Sequence, residues 1–427
     1  MKKTNKVKKF FRYNLGFLIT TASLAVVFTA IDVVALSVPF ITNTLNTLLC
    51  DDSQVLKSGD PNQYQYFKTD DDIKNKADAL KKANQVNERI GEEGFVLLKN
   101  DGSLPLKKNA KVSVYGMNQT NMVYSGSGSS SKSNGDGIDL FKSLDNAGIE
   151  YNLDLKNQYE KLKSRYGRPA SPTFGDIIEG FPTGEAPLSA FNSSNPSGLA
   201  GNYTDAALVV ISRIGGEGYD LPRTMKNTEG ADPDAHYLEL DNNEKALLSN
   251  LTSDSSPFEN VIVLINSGTS MELGFLDDGT YGEKLKGALW IGDPGGTGLN
   301  ALGKILTGEV TPSGHLTDTY VRDFFSIPSL ADFGNNSRDK GNNYTLDGAS
   351  TDYYFVDYQE GIYVGYKYFE TRGYTEKEKG NSSWYKDNVV YPFGYGMSYA
   401  KFNYSLKSAE LDGKTFTSEV TEADLDK

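Results

Sequence analysis

Three short segments, "AALVVIS" (206–212), "VIVLINSG" (261–268) and "GALWIG" (287–292), carry no charge and little polarity. Helical patterns lie between and after them, in "ELDNNEKALLSNL" and "TGLNALGKILTG". A strand with one wet face alternates apolar and polar residues, whereas a strand that is apolar throughout must be covered on both faces. Continuous apolar strands alternating with helices therefore predict the α/β class. The expected architecture is a mostly parallel sheet with helices on both faces, an α/β sandwich. Such sheets place their chemistry in loops just past the C-terminal ends of strands.

Upstream, "GFVLLKN" and "KVSVYG" read as extended segments separated by the turn "DGSLPL". Between Asp71 and Gly91, residues Ile73, Ala77, Leu80, Ala83, Val86 and Ile90 recur at helical spacing. Residues 51–70 read as a polar linker. The N-terminus carries Lys2, Lys3, Lys6, Lys8, Lys9 and Arg12, followed from Tyr13 to Ile31 by 19 residues without a charge. At about 1.5 Å per residue, that run covers most of a hydrocarbon core of roughly 30 Å. The basic end would stay in the cytoplasm, so residues 1–50 are expected to form a basic tail and one transmembrane helix, with the bulk of the chain extracellular. A cleaved signal peptide is the competing reading, but the apolar segment is long and "VALSVPF" is a poor cleavage site. Cys50, preceded by Leu48 and Leu49, does not read as a lipid-attachment site.

Several chemistries drop out early. The net charge of −13, with no basic block beyond the N-terminus, argues against a nucleic-acid partner. One cysteine excludes an intrachain disulfide, and two histidines cannot build a Cys/His metal site. A carboxylate-bound Ca²⁺ or Mg²⁺ stays open, without EF-hand spacing to support it. The loop "YSGSGSSSKSNGDG" has no Lys at P-loop spacing and lacks a dinucleotide fingerprint. "IGDPGGTGLNALGKIL" leads glycines into a helix, and a tight turn accounts for it better than a phosphate cradle. No cofactor is expected. Neither Ser127 nor Ser267 lies in a nucleophile-elbow pattern.

One carboxylate stands apart. In "ISRIGGEGYDLPRT" (211–224), Glu217 follows an apolar strand and is set among Gly215, Gly216 and Gly218. Glycines let backbone approach a ligand closely, and the strand end is where α/β sites occur. Taken alone, an acid in a glycine-rich loop is more often a plain turn. Asp220 is a second polar contact or a turn former.

The segments "EEGFVLLKNDGSLPL", "VSVYGMNQ…YSGSGSSS", "SRIGGEGYD…YLELDNNEKALL", "WIGDPGGTGLNALGKILTGEVTPSGHLTDTY", "EGIYVGYKYFE" and "YPFGYGMSYAKFNYSL" occur in that order. Together, over roughly Ala83 to Leu406, they resemble the α/β sandwich domain of glycoside hydrolase family 3. That resemblance implies a retaining, β-glucosidase-like exo-glycosidase acting on an oligosaccharide or β-glucoside, with a nucleophilic Asp on a TIM barrel and an acid/base Glu from the sandwich. It assigns the acid/base to Glu217, with Asp220 as a weaker substrate contact, and partial desolvation against the barrel would raise the Glu217 pKa.

No barrel-length βα repeat is present, and nothing matches the family's Ser-Asp-Trp nucleophile motif, the only tryptophans being Trp290 and Trp384. Some members carry the sandwich first and the barrel last, and this chain is similar to them. The expected order is a sandwich over 71–400 and, at 401–427, the start of a fibronectin type III-like β-sandwich that is cut short. The barrel would act in trans or downstream. Twelve of the 26 tyrosines lie between Tyr344 and Tyr399, and part of that region should form an exposed patch facing the barrel. The alternative functions are a non-catalytic carbohydrate-binding or scaffold protein at the cell surface and an unrelated α/β ligand-binding domain.

Overall fold

In the computed structural model, the apolar segments become the centre of a six-stranded sheet. The described residues are 2–37, 73–126, 137–169, 182–331 apart from 216, 218–220 and 227, then 343–354, 360–401, 403, 409–411 and 414–416. The chain divides into two compact units, Met1–Asp71 and Asp72–Lys427.

In the larger unit, helix α2 (Lys76–Gly94) leads into β1 (Val96–Asn100) and β2 (Lys111–Tyr115). Then come α3 (Leu140–Asn146), β3 (Glu150–Tyr151), α4 (Leu153–Tyr166), β4 (Ala206–Ser212), α5 (Asn242–Thr252), β5 (Val261–Asn266), β6 (Leu285–Trp290) and α6 (Asn300–Thr307). The strand order is β1-β6-β5-β4-β2-β3, parallel throughout except that β1 runs antiparallel to β6.

Every residue of β4 and β5 is buried, as strands covered on both faces require. Alternate residues feed two separate cores. Ala207, Val209, Ile211, Val261, Val263 and Ile265 pack against Leu247, Leu248 and Leu251 of α5 and Leu155 and Tyr159 of α4. Leu208, Val210, Ile262 and Leu264 pack against Leu140, Phe141 and Leu144 of α3 and Leu302, Ile305 and Leu306 of α6. Each fully buried leucine contributes about 1.5–3 kcal/mol of burial free energy. The α/β sandwich expectation holds in this unit.

The edge strand β1 is covered by the later segment "YGMSY". Met397 N–H donates to Leu97 O (2.9 Å), the Tyr395 hydroxyl to Leu98 O (3.1 Å) and the Tyr399 hydroxyl to Ile305 O (3.0 Å). A side chain at Gly396 would collide with the Gly314 carbonyl, so only glycine allows this approach. An otherwise open sheet edge is closed. Beyond the sheet, β7 (Tyr320–Val321) runs beside a later strand (Val389–Tyr391) over a small cluster of Val321, Phe369 and Val389.

Helix α2 forms where expected but docks on another face. Leu80, Val86 and Ile90 are exposed, and Gly91 is its one buried residue. The Asn87 side chain donates to Pro294 O (3.1 Å) and accepts from Thr297 N (2.9 Å) and Gly298 N (3.0 Å). Glu88 and Glu92 both hold Lys304 at 2.6 Å. Asn87→Ala removes the acceptor of two backbone N–H groups and is expected to cost about 1–3 kcal/mol in urea unfolding. An unchanged midpoint would show that water replaces the side chain without loss.

The smaller unit holds α1 (Lys2–Ser37). The expected transmembrane helix, and the membrane anchoring and outward localisation built on it, are corrected here. Among the described residues no helix is long and apolar enough to cross a membrane. The expectation counted absent charge, which is not the same as apolarity. The uncharged run contains Asn14, Gly16, Thr20, Thr21, Ser23 and Thr29. The hydroxyls of Thr20, Thr21 and Thr29 bond back to carbonyls four residues earlier.

Candidate active site

The C-terminal ends of β4 and β5 are tied together by Asn266, which is fully buried. Its amide donates to Val123 O and Gly292 O (both 2.7 Å), while its carbonyl oxygen accepts from Val123 N (2.7 Å) and the Ser212 hydroxyl (3.0 Å). One side chain thus joins the segments leaving β2, β4 and β6 to the end of β5. A fully satisfied buried amide of this kind fixes geometry, because any slip strands a polar group.

Immediately after β4, Arg213 turns inward and is completely buried. It makes a bidentate pair with Glu244, Nη1 to Oε1 and Nη2 to Oε2, both at 2.8 Å. Its remaining donors reach Tyr237 O (2.9 Å), Ser212 O (2.9 Å) and Glu239 O. Burial works against the guanidinium charge, but the Glu244 carboxylate outweighs it and raises the pKa. Glu244 also completes the capping box of α5: it accepts from Asp241 N (2.9 Å) while Asp241 accepts from Glu244 N (2.7 Å). Arg213 therefore fastens both ends of the excursion between β4 and α5.

Glu217 is carried on that excursion. It stands exposed on a turn five residues past Ser212, the end of β4. Asp220 lies outside the described residues. At Gly215, the position a Cβ would take is 3.1 Å from Thr269 Oγ1 and 3.9 Å from Leu221 Cδ2, so the turn runs against the segment leaving β5.

Sequence reasoning missed Arg213, Asn266, His236 and Glu272. The Asp241-x-x-Glu244 spacing is a legible capping signal, yet nothing in it points to Arg213. His236 is 2% exposed, stacks on Phe324 (5.0 Å, 27°) and accepts from Leu238 N through Nδ1 (3.1 Å). Burial lowers its pKa to about 4, with Arg223 adding to the effect. Glu272 accepts from Phe324 N (2.7 Å) beside a cavity of about 360 Å³ of mixed lining, with Glu239, Lys245, Asp278 and Arg322 beside Leu240, Phe275 and Tyr281. Burial raises Glu272 to about 8, helped by the charges of Glu239 and Asp323 and opposed by Lys245.

Between pH 4.5 and about 8 the folded state keeps a proton on Glu272 that the unfolded chain has released. Stability attributable to this group therefore falls as pH rises through that window. Glu272→Gln keeps the acceptor for Phe324 N and removes the titration. Its urea midpoint should gain steadily on the wild type from pH 4.5 to 8, and parallel pH curves would remove Glu272 from the account.

The glycine-rich turn before α6 is not an anion cradle. Asn87 occupies its Thr297 and Gly298 N–H groups, and Gly295 N donates to Tyr124 O (2.7 Å). Ser267 is a turn former, its hydroxyl donating to Thr269 O (2.7 Å). The loop at 127–136 lies outside the described residues.

Fold and site together define an α/β sandwich domain that presents a carboxylate on a loop beyond a central parallel strand. Residues 95–366 match the glycosyl hydrolase family 3 C-terminal domain, and the chain belongs to that family. It is 31% identical over 343 residues to a β-glucosidase of Ruminococcus albus, covering 80% of this chain and 30% of that protein. To β-glucosidase A of Butyrivibrio fibrisolvens it is 29% identical over 351 residues, covering 78% of this chain and 37% of that one. Among solved structures it is similar to β-glucosidase 3B from Thermotoga neapolitana in complex with α-D-glucose. There the TM-score is 0.57 at 27% identity, covering 78% of this chain and 40% of the other. The chain spans about a third of the length of the curated relatives it matches.

Proposed function

We propose that this chain supplies the acid/base half of a retaining β-glucoside hydrolase, with Glu217 as the proton donor and acceptor. The observation that carries the reading is the station of Glu217: an exposed carboxylate just past the C-terminal end of a central parallel strand, where open α/β sheets bind ligands. In the first step the Glu217 carboxyl protonates the departing glycosidic oxygen. In the second, as carboxylate, it takes a proton from the water that releases the sugar.

A retaining mechanism needs a second carboxylate about 5 Å away as nucleophile. This reading places it on a barrel domain outside the present sequence, within the length of the relatives that this chain does not span. The surface of the described unit supports such a partner. Ile362, Tyr363, Val364 and Tyr366 form an exposed run, with Ile362 79% exposed, and Phe393 stacks on Tyr366 (4.4 Å, 24°). Contiguous exposed apolar side chains mark interaction sites. Part of the tyrosine-rich region expected to face a barrel is thus open.

The test is direct. The purified chain is incubated with an aryl β-glucoside, alone and with a matching family 3 barrel domain. The chain alone should give no turnover, because the nucleophile and most sugar contacts are absent, and the barrel should restore it. Turnover by the isolated chain that is abolished by mutating an acid within it would refute the half-site reading.

A further inference from the structure

The turn that carries Glu217 rests on a small apolar core of its own. Ile214, three residues before Glu217, and Leu221, four residues after it, pack with Val123, Tyr237, Leu238 and Phe324. That core is separate from the two that fill the faces of the sheet. A cluster of so few side chains opens more readily than the sheet beside it.

His236 closes this core. Its ring lies flat on Phe324 (5.0 Å, 27°) and meets Phe325 edge-on (5.2 Å, 74°), and its backbone bridges to Thr224 on the arm returning from Glu217. Leu238 N–H donates to Nδ1 (3.1 Å), so the neutral ring carries its proton on Nε2. Leu238 O in turn accepts from Glu272 N (3.0 Å), which ties the core to the segment leaving β5.

A second proton can enter the ring only at Nδ1, the atom that accepts from Leu238. Both nitrogens of an imidazolium are donors, so that bond must then break. The charge would also gain no partner. Nε2 has no hydrogen-bond acceptor among the described residues, and the residue is 2% exposed. Arg223 contributes a like charge. Glu239 accepts from the His236 backbone N–H (2.8 Å) and lies 3.8 Å from Lys245, while Glu272 and Asp323 accept from Phe324 N and Phe325 N (both 2.7 Å).

We propose that His236 is an acid-operated latch: proton uptake at Nδ1 frees Leu238 and opens the small core beneath the Glu217 turn, while the main sheet stays closed. Burial and Arg223 lower the folded-state pKa from 6.5 to about 4. The latch therefore holds fully above pH 6.5 and is lost as pH falls toward 4.

Glu272 titrates in the opposite sense, so the latch is read in Glu272→Gln, which keeps the acceptor for Phe324 N. Hydrogen exchange of the full chain, followed by mass spectrometry and corrected for the intrinsic pH dependence of amide exchange, compares peptides over 221–240 with peptides over β4 and β5. From pH 7 to pH 5 the opening constant over 221–240 should rise about 20-fold, and that over β4 and β5 should not follow. Adding His236→Phe keeps a ring against Phe324 but removes the titration, so the rise should vanish even though this core opens more at every pH. A second reading uses the wild type alone. The chain has two histidines, and His315 is exposed, so ¹⁵N-labelled histidine separates the two rings. His236 should remain mostly neutral at pH 5. No rise over 221–240, a rise shared equally by β4 and β5, a rise retained with His236→Phe, or a His236 ring already protonated at pH 5 overturns the proposal.

Discussion

Glu217→Gln, in the chain supplied with a matching family 3 barrel, should lower turnover of phenyl β-glucoside by about 10²–10⁴-fold, the usual contribution of a positioned general acid and base, the role proposed for it. Dinitrophenyl β-glucoside should lose far less in the glycosylation step, because its leaving group departs without protonation. Azide should restore part of the deglycosylation rate, since it attacks without needing its proton removed. Glu217 is exposed on a turn, so the thermal midpoint should stay within the small range of surface substitutions. Near wild-type rates on both substrates would take Glu217 out of the mechanism.

The second large effect is expected at Arg213. Arg213→Met leaves the Glu244 carboxylate buried without a counter-charge and strips donors from Tyr237 O and Glu239 O. Breaking a buried pair from one side costs about 3–5 kcal/mol. Much of that cost is the orphaned charge, so Arg213→Met with Glu244→Gln should be less damaging than the two single changes summed. Urea unfolding of the four proteins measures the coupling, and additive losses would show that Glu244 relaxes to water once Arg213 is gone. Because Arg213 ties the chain on both sides of the Glu217 excursion, even the folded fraction should show reduced kcat when a matching family 3 barrel is supplied, on the role proposed for Glu217.

The central strands were legible because two-sided burial leaves an unmistakable mark: "AALVVIS" and "VIVLIN" have no polar face to confuse. The antiparallel setting of β1 was not, since "VLLKN" reads alike in either direction. Spacing identified α2 as a helix but not its contact face, which is chosen by Asn87, Gly91 and Lys304 rather than by Leu80, Val86 and Ile90. At the N-terminus, counting charges hid the hydroxyl content of the run. In the candidate site, glycine flanks and motif context singled out Glu217, whose role stands as a proposal. Arg213 and Asn266 stayed silent because their partners are distant in sequence. Glu244 is 31 residues from Arg213, and Val123 is 143 from Asn266. Short-range patterns carry no record of such pairings.

Helix α2 is fastened by an asparagine and a lysine clamp, and that choice of fastener governs how it comes loose. Undocking would uncover hydrogen-bonding groups and charges but little hydrocarbon, so it carries a small heat-capacity change and a shallow dependence on urea. Its amides should then exchange with solvent through a local opening whose rate barely responds to denaturant, while amides of β4 and β5 exchange only with the whole sheet. The Lys304 clamp is ionic and partly exposed, so salt should widen that gap by loosening the helix and leaving the sheet as it was.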